Sequence, residues 1–207
     1  MRYDYAPLMP AGGTPPADAV ELYLPAPLSF SLAVDAMARQ GEQWRESWER
    51  ARQLYIDSAQ QTLRDLQRRM SASTVTPDVQ LSLAVEVHSQ VPGVEIARLH
   101  QHVYLGAAVE DPTRGRAPVD RHFLDIVADG IESSHTRYLR SQSEDLFGFV
   151  WKQGEIVEPP FADYVDQYPV TRDAACPGAH GPGRDRIYAD DATQRLRAKR
   201  AERRRAS

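Results

Sequence analysis

Cysteine is almost missing: Cys176 is the only one in 207 residues. This excludes a disulfide framework within the chain and a zinc site built from four thiolates. No apolar run is long enough to cross a bilayer. The N-terminal segment MRYDYAPLMP lacks the basic stretch followed by an apolar one that marks a secretory signal. The expectation is a cytoplasmic protein with no membrane partner. A large charge excess is also lacking, since the formal net charge is −4. The charge is unevenly placed, however. The stretch RLRAKRAERRRAS at 195–207 holds seven basic residues and one Glu, leaving 18 Lys/Arg against 28 Asp/Glu in the rest. The body as a whole therefore does not attract a polyanion, and any affinity for nucleic acid must come from a local patch, a metal or the tail.

What is present suits a globular protein: 42% hydrophobic and 26% charged residues. The length allows one ordinary domain with a tail. Residues 1–19 are rich in Pro, Gly and Ala and read as an irregular lead-in. A patterned region follows over 20–151. A Pro- and Gly-rich segment covers 152–189 and is expected to be irregular, and 190–207 is a basic tail, helical or disordered.

Within 20–151 two periodicities alternate. Val20, Leu22 and Leu24 share one side of a short strand, with Glu21 and Tyr23 on the other. Pro25 and Pro27 stop that strand, and Ser29 can cap a helix over about 30–38. The stretch GEQWRESWERARQLYIDSAQQTLRDLQRRM is the clearest helix. Trp44, Trp48, Ala51, Tyr55, Ala59, Leu63, Leu66 and Met70 recur at three- and four-residue steps. Trp44 and Trp48 are expected in the core, and SASTVTPD is expected to break the helix. Val79, Leu81, Leu83, Val85 and Val87 then alternate along a second strand, with Ser82, Ala84, Glu86 and His88 on its opposite face. In RLHQHVYLG the core side is Leu99, Val103 and Leu105, and the other side is His100, His102 and Tyr104. EDPTRGRAP reads as a loop, and Asp120 can cap a helix running to about Leu146. The elements add up to an α+β domain with helices packed on an antiparallel sheet.

His100 and His102 project from one face of one strand. If the strand ending at His88 pairs antiparallel with theirs, His88 reaches the same spot. Three neutral imidazoles with open positions left over suit a divalent cation. A lone H-x-H is a weak signal, and on its own it reads more readily as ordinary sheet-face histidines. The order of elements adds to it. ELYLPAPLSFS, then helices, then a strand ending in His88, then LHQHVYLG twelve residues on, then GRAPVDRHFLDIVADGIESSHTRYL together resemble the TrwC/MobF-type conjugative relaxases of the HUH endonuclease superfamily. The resemblance covers about residues 20–151. It implies a relaxase palm, a divalent metal (Mg²⁺ or Mn²⁺) on His88, His100 and His102, and nicking and strand transfer on single-stranded DNA at a transfer origin, alongside other conjugation proteins. Glu21 stands where that family has an Asp thought to act on the tyrosine proton or to orient a ligand histidine. Leu28 stands where it has a Lys.

The family's nucleophile is a tyrosine on a segment well upstream of this first strand. Only twenty residues precede Glu21 here, so the candidates are Tyr3, Tyr5 and Tyr23. For Tyr3 and Tyr5 a loose terminus is the plainer reading. For Tyr23 an ordinary strand aromatic is an equal alternative. The chain then reads as a shortened relaxase, a divergent one with a relocated tyrosine, or a remnant that binds DNA without cutting it. His135 falls near the apolar stripe of the last long helix and is expected to be packed; His122 in its first turn is expected at the surface. Cys176 and His180 give a weak C-x₃-H that reads as loop. Arg195, Arg197, Lys199 and Arg200 are candidate phosphate contacts, with a solvated charged terminus as the alternative.

Overall fold

The computed structural model describes residues 9–12, 19–39, 41–73, 83–91, 96–106, 108–111, 115–118, 121–157 and 186–188, with 198, 201, 202 and 205 singly. Tyr3, Tyr5, Asp120, Cys176, His180, Arg195, Arg197, Lys199 and Arg200 lie outside the described residues, as do Val79 and Leu81.

A five-stranded sheet is built from β1 (Met9–Gly12), β2 (Val20–Pro25), β3 (Leu83–His88), β4 (His100–Leu105) and β9 (Arg186–Tyr188). Its spatial order is β1-β3-β4-β2-β9. Every pairing is antiparallel except β2 with β9, which is parallel. The helices are α1 (Leu28–Arg39), α2 (Arg45–Ser73) and α3 (Arg121–Phe147). Two hairpins complete the described elements, β5 (Ala108–Asp111) with β6 (Gly115–Pro118) and β7 (Trp151–Lys152) with β8 (Glu155–Ile156). The α+β expectation holds.

Alternation sorts the sheet residues onto two faces. Leu22, Leu24, Val85, Val87, Val103 and Leu105 join Phe30, Tyr55, Leu66, Ile131 and Leu139 of the helices in one buried cluster. Helix α2 follows the expected stripe and ends at Ser73, inside the SASTVTPD stretch expected to break it. Its outer face carries spaced ion pairs such as Arg68–Asp65 at 2.6 Å, each worth only about 0.3–0.5 kcal/mol at an exposed site. Trp44 is a correction. It sits in the one-turn helix Glu42–Trp44 ahead of α2 and is 39% exposed. Trp48, one turn further in, packs against the edge of the core.

Ser29 is a second correction. Helix α1 begins at Leu28, so Ser29 is its second residue rather than its cap. The capping oxygen comes from afar: Glu155 Oε2 accepts the Ser29 backbone N–H at 2.9 Å and its hydroxyl at 2.5 Å. Ser29 Oγ in turn accepts the Ile156 N–H at 2.7 Å. A carboxylate suits a helix N-terminus, where the free N–H groups gather partial positive charge. The β7–β8 hairpin can deliver it because Gln153 (φ 54°) and Gly154 (φ 87°) form a two-residue turn with both φ positive, the twist that fits antiparallel strands. Trp151 of the same hairpin stacks on Phe30, with ring centroids 6.4 Å apart. The segment expected to be irregular from 152 on thus supplies a cap and, at 186–188, an added strand.

On the helix side of β4, Gln101 faces α2 and α3. Its Nε2 donates to Ser58 Oγ at 2.7 Å and lies 3.2 Å from His135 Nε2. His135 is buried, as expected, but its Nδ1 has no hydrogen-bond partner among the described residues. Burial pushes this imidazole down to about 3, so it is neutral in the fold, whereas in the unfolded chain it titrates near 6.5. Between those values the unfolded chain binds the extra proton, and stability falls as pH drops below about 6.5. At pH 5 the loss from this group is about 2 kcal/mol. Urea melts at pH 7 and pH 5 check it: the wild type should lose about that much more on acidification than His135→Gln.

Candidate metal centre

The opposite face of the sheet carries the polar residues, and strand register arranges them in rows across β2, β4 and β3. Pro25, His100 and His88 form one row, Tyr23, His102 and Glu86 the next, and Glu21, Tyr104 and Ala84 the third. Directly opposed residues in an antiparallel pair lie about 4.5–5.5 Å apart, which sets His88 against His100, and His102, two residues along β4 on the same face, completes the group. Ring centroids of His88–His100, His88–His102 and His100–His102 are 5.1, 4.8 and 5.0 Å apart. One ligand atom from each lies within 4.8 Å of the others, and all three residues are buried. Bonds of about 2.0–2.2 Å place the donors of one ion about 3–3.5 Å apart. Rotations of about an ångström at the ring tips close the difference.

In His100 and His102 the second ring nitrogen decides which one is free to bind. His100 Nδ1 lies 2.7 Å from the Arg98 carbonyl, which can only accept, so Nδ1 carries the proton and Nε2 keeps its lone pair. His102 Nδ1 donates to Glu21 Oε1 at 2.6 Å, again leaving Nε2. Orientation of a ligand imidazole by a carbonyl or a carboxylate is the usual support of a metal site. The lead-in to β4 is held in turn by α1. Asp35 accepts the Ala97 N–H at 3.0 Å and Ser31 the Leu99 N–H at 3.1 Å, while the Ala26 N–H donates to the Leu99 carbonyl at 2.9 Å. Helix α1 thereby fixes the chain immediately before His100.

Tyr23 is buried on this face. Its ring stacks on His100 at 5.2 Å and meets His102 edge-on at 5.5 Å. Glu86, also buried, accepts the Tyr104 hydroxyl at 2.9 Å, and the same Oε2 stands 3.6 Å from His88 Nε2. Among the expected site residues, the structure brings together His88, His100, His102, Glu21 and Tyr23. Leu28 is buried in a small cluster with Leu32 and Ile96. Two residues went unnoticed as site candidates. Glu86 was legible, since alternation sets it on the histidine face. Tyr188 was not: β9 pairs with β2 in a register that puts Tyr188 opposite Tyr23, which no local signal at 186–188 foretells. No helix is long and apolar enough to cross a membrane among the described residues.

Comparison with family models, curated proteins and solved structures gives no match.

Proposed function

We propose that this chain nicks single-stranded DNA and transfers the cut strand in a metal-dependent reaction of the conjugative-relaxase kind, acting at a transfer origin during mobilisation of a plasmid or integrative element. The observation that carries this reading is the convergence of His88, His100 and His102 with Glu21 bonded to His102 and Tyr23 stacked on His100. The donor set fits Mg²⁺ or Mn²⁺, with Mn²⁺ the better match to three imidazoles. A cation held there supplies Lewis acidity toward a non-bridging phosphate oxygen.

The chain's own groups do the rest. Tyr23 is the nucleophile: its phenolic oxygen forms a bond to phosphorus as the bond to the 3′ oxygen breaks. The proton released by the phenol is carried through water to the departing oxygen, which ends as a 3′-hydroxyl, with the DNA held as a 5′-phosphotyrosine. The phosphodiester energy is retained in that covalent bond and returned on rejoining. Glu21 holds the His102 tautomer. Arg195, Arg197, Lys199 and Arg200 contact backbone phosphates. A labelled single-stranded oligonucleotide incubated with the protein and Mn²⁺ should give a covalent adduct, abolished by EDTA and reduced at least a hundredfold in Tyr23→Phe. Tyr3→Phe, Tyr5→Phe and Tyr188→Phe run alongside, and an adduct lost in one of those instead moves the nucleophile.

The burial of Tyr23, 2% exposed, favours a second reading, a non-catalytic DNA-binding remnant or accessory protein. That reading predicts a mobility shift with no adduct in any variant.

A further inference from the structure

We infer that Glu86 is a fourth ligand of the cation, so that the centre is three imidazoles and one carboxylate. This rests on the metal-centre part of the reading above and is independent of the DNA chemistry. Glu86 lies on β3 two residues before His88 and directly across from His102 in the β3–β4 register. Alternation therefore puts it on the histidine face, and its side chain is 3% exposed. Its Oε2 is 3.6 Å from His88 Nε2. That is too long for a hydrogen bond, but it is about the separation of two donors on one ion with bonds near 2.1 Å.

The carboxylate is held beside His88, while the ligand atoms that already converge are those of the three histidines, so Glu86 joins them by a small side-chain turn. The Tyr104 hydroxyl donates to Oε2, which orients a ligand carboxylate as hydrogen-bonding supports commonly do. Charge points the same way. Glu21 and Glu86 are two buried carboxylates on one sheet face, and a divalent cation is the counter-charge that such a pair attracts. A set of three nitrogens and one oxygen is also borderline in hardness, so the centre selects Mn²⁺ over Mg²⁺, which prefers oxygen and water.

Calorimetric titration of the full chain with Mn²⁺ tests this. The wild type should bind one ion. Glu86→Gln keeps the shape and an acceptor for Tyr104 but loses the anionic ligand, and its Mn²⁺ affinity should fall at least tenfold. Binding within threefold of wild type overturns the assignment. Failure of the wild type itself to bind Mn²⁺ is a different result, which removes the three-histidine centre as well. If Glu86→Gln does not fold, the Glu21→Gln chain gives the answer by infrared difference spectroscopy. With Glu86 then the remaining site carboxylate, Mn²⁺ addition should shift a buried glutamate stretching band, and an unshifted spectrum in a Mn²⁺-bound sample overturns the proposal.

Discussion

His100→Ala should remove the rise in melting temperature that Mn²⁺ is expected to give the wild-type chain. At a free ion concentration a hundredfold above the dissociation constant, binding to the folded state alone adds about 2.7 kcal/mol. For a chain of this size that is a shift of roughly 5–10 °C. His100 is one corner of a nearly equilateral triangle of rings, 5.1 and 5.0 Å from the other two, which are 4.8 Å apart, and its Nε2 is the atom left free by the bond from Nδ1 to the Arg98 carbonyl. Without it, His88 and His102 remain as an open pair. The substitution also costs the metal-free protein something, because the Arg98 carbonyl loses its donor and Tyr23 loses the ring it stacks on. That loss is about 1–3 kcal/mol. The informative quantity is therefore the difference with and without Mn²⁺ in each protein, read by calorimetry or circular dichroism. An equal shift in wild type and variant would falsify the shared-ion geometry.

Much of this face was legible because a strand has a period of two and both key strands keep it without a slip. Leu22, Leu24, Val103 and Leu105 went to the core, and Glu21, Tyr23, His100 and His102 to the other side. His88 followed once β3 and β4 were taken as antiparallel neighbours, since the observed register sets it directly against His100. Strand β1 lies in the lead-in expected to be irregular and the β5–β6 hairpin spans the EDPTRGRAP stretch expected to be a loop, and three further features were not legible for clear physical reasons. Strand β9 has three residues and gains its place only by pairing with β2, more than 160 positions earlier in the chain. The β7–β8 hairpin has two residues per strand, too few to show an alternation. The capping of α1 by Glu155 joins positions 126 apart, while the nearby Ser29 offered a local cap that the fold uses differently. Trp44 shows the opposite failure: its spacing fits the α2 stripe, yet it lies before the first turn of α2 and is exposed.

Glu21→Ala should weaken Mn²⁺ binding about 10- to 100-fold, the usual effect of removing a group that orients a ligand histidine. It should also lower the stability of the metal-free chain by about 1.5–3 kcal/mol, because a buried hydrogen bond to a charged acceptor is lost. Both effects come from one contact, Glu21 Oε1 to His102 Nδ1 at 2.6 Å, between groups that are 3% and 0% exposed. Two further substitutions separate its parts. Glu21→Gln retains an amide oxygen that can accept the Nδ1–H, so the metal-free stability should stay near wild type. The negative charge that raises the basicity of Nε2 is gone, so the affinity should still drop, nearer the tenfold end. Glu21→Asp keeps the charge and shortens the side chain by about 1.5 Å. From a fixed strand backbone it no longer reaches Nδ1, and both binding and stability should fall. If Asp instead equals Glu, charge near the site matters and the direct bond does not. If Ala binds Mn²⁺ as tightly as wild type, Glu21 is a packing residue and the His102 tautomer is set by something else on this face.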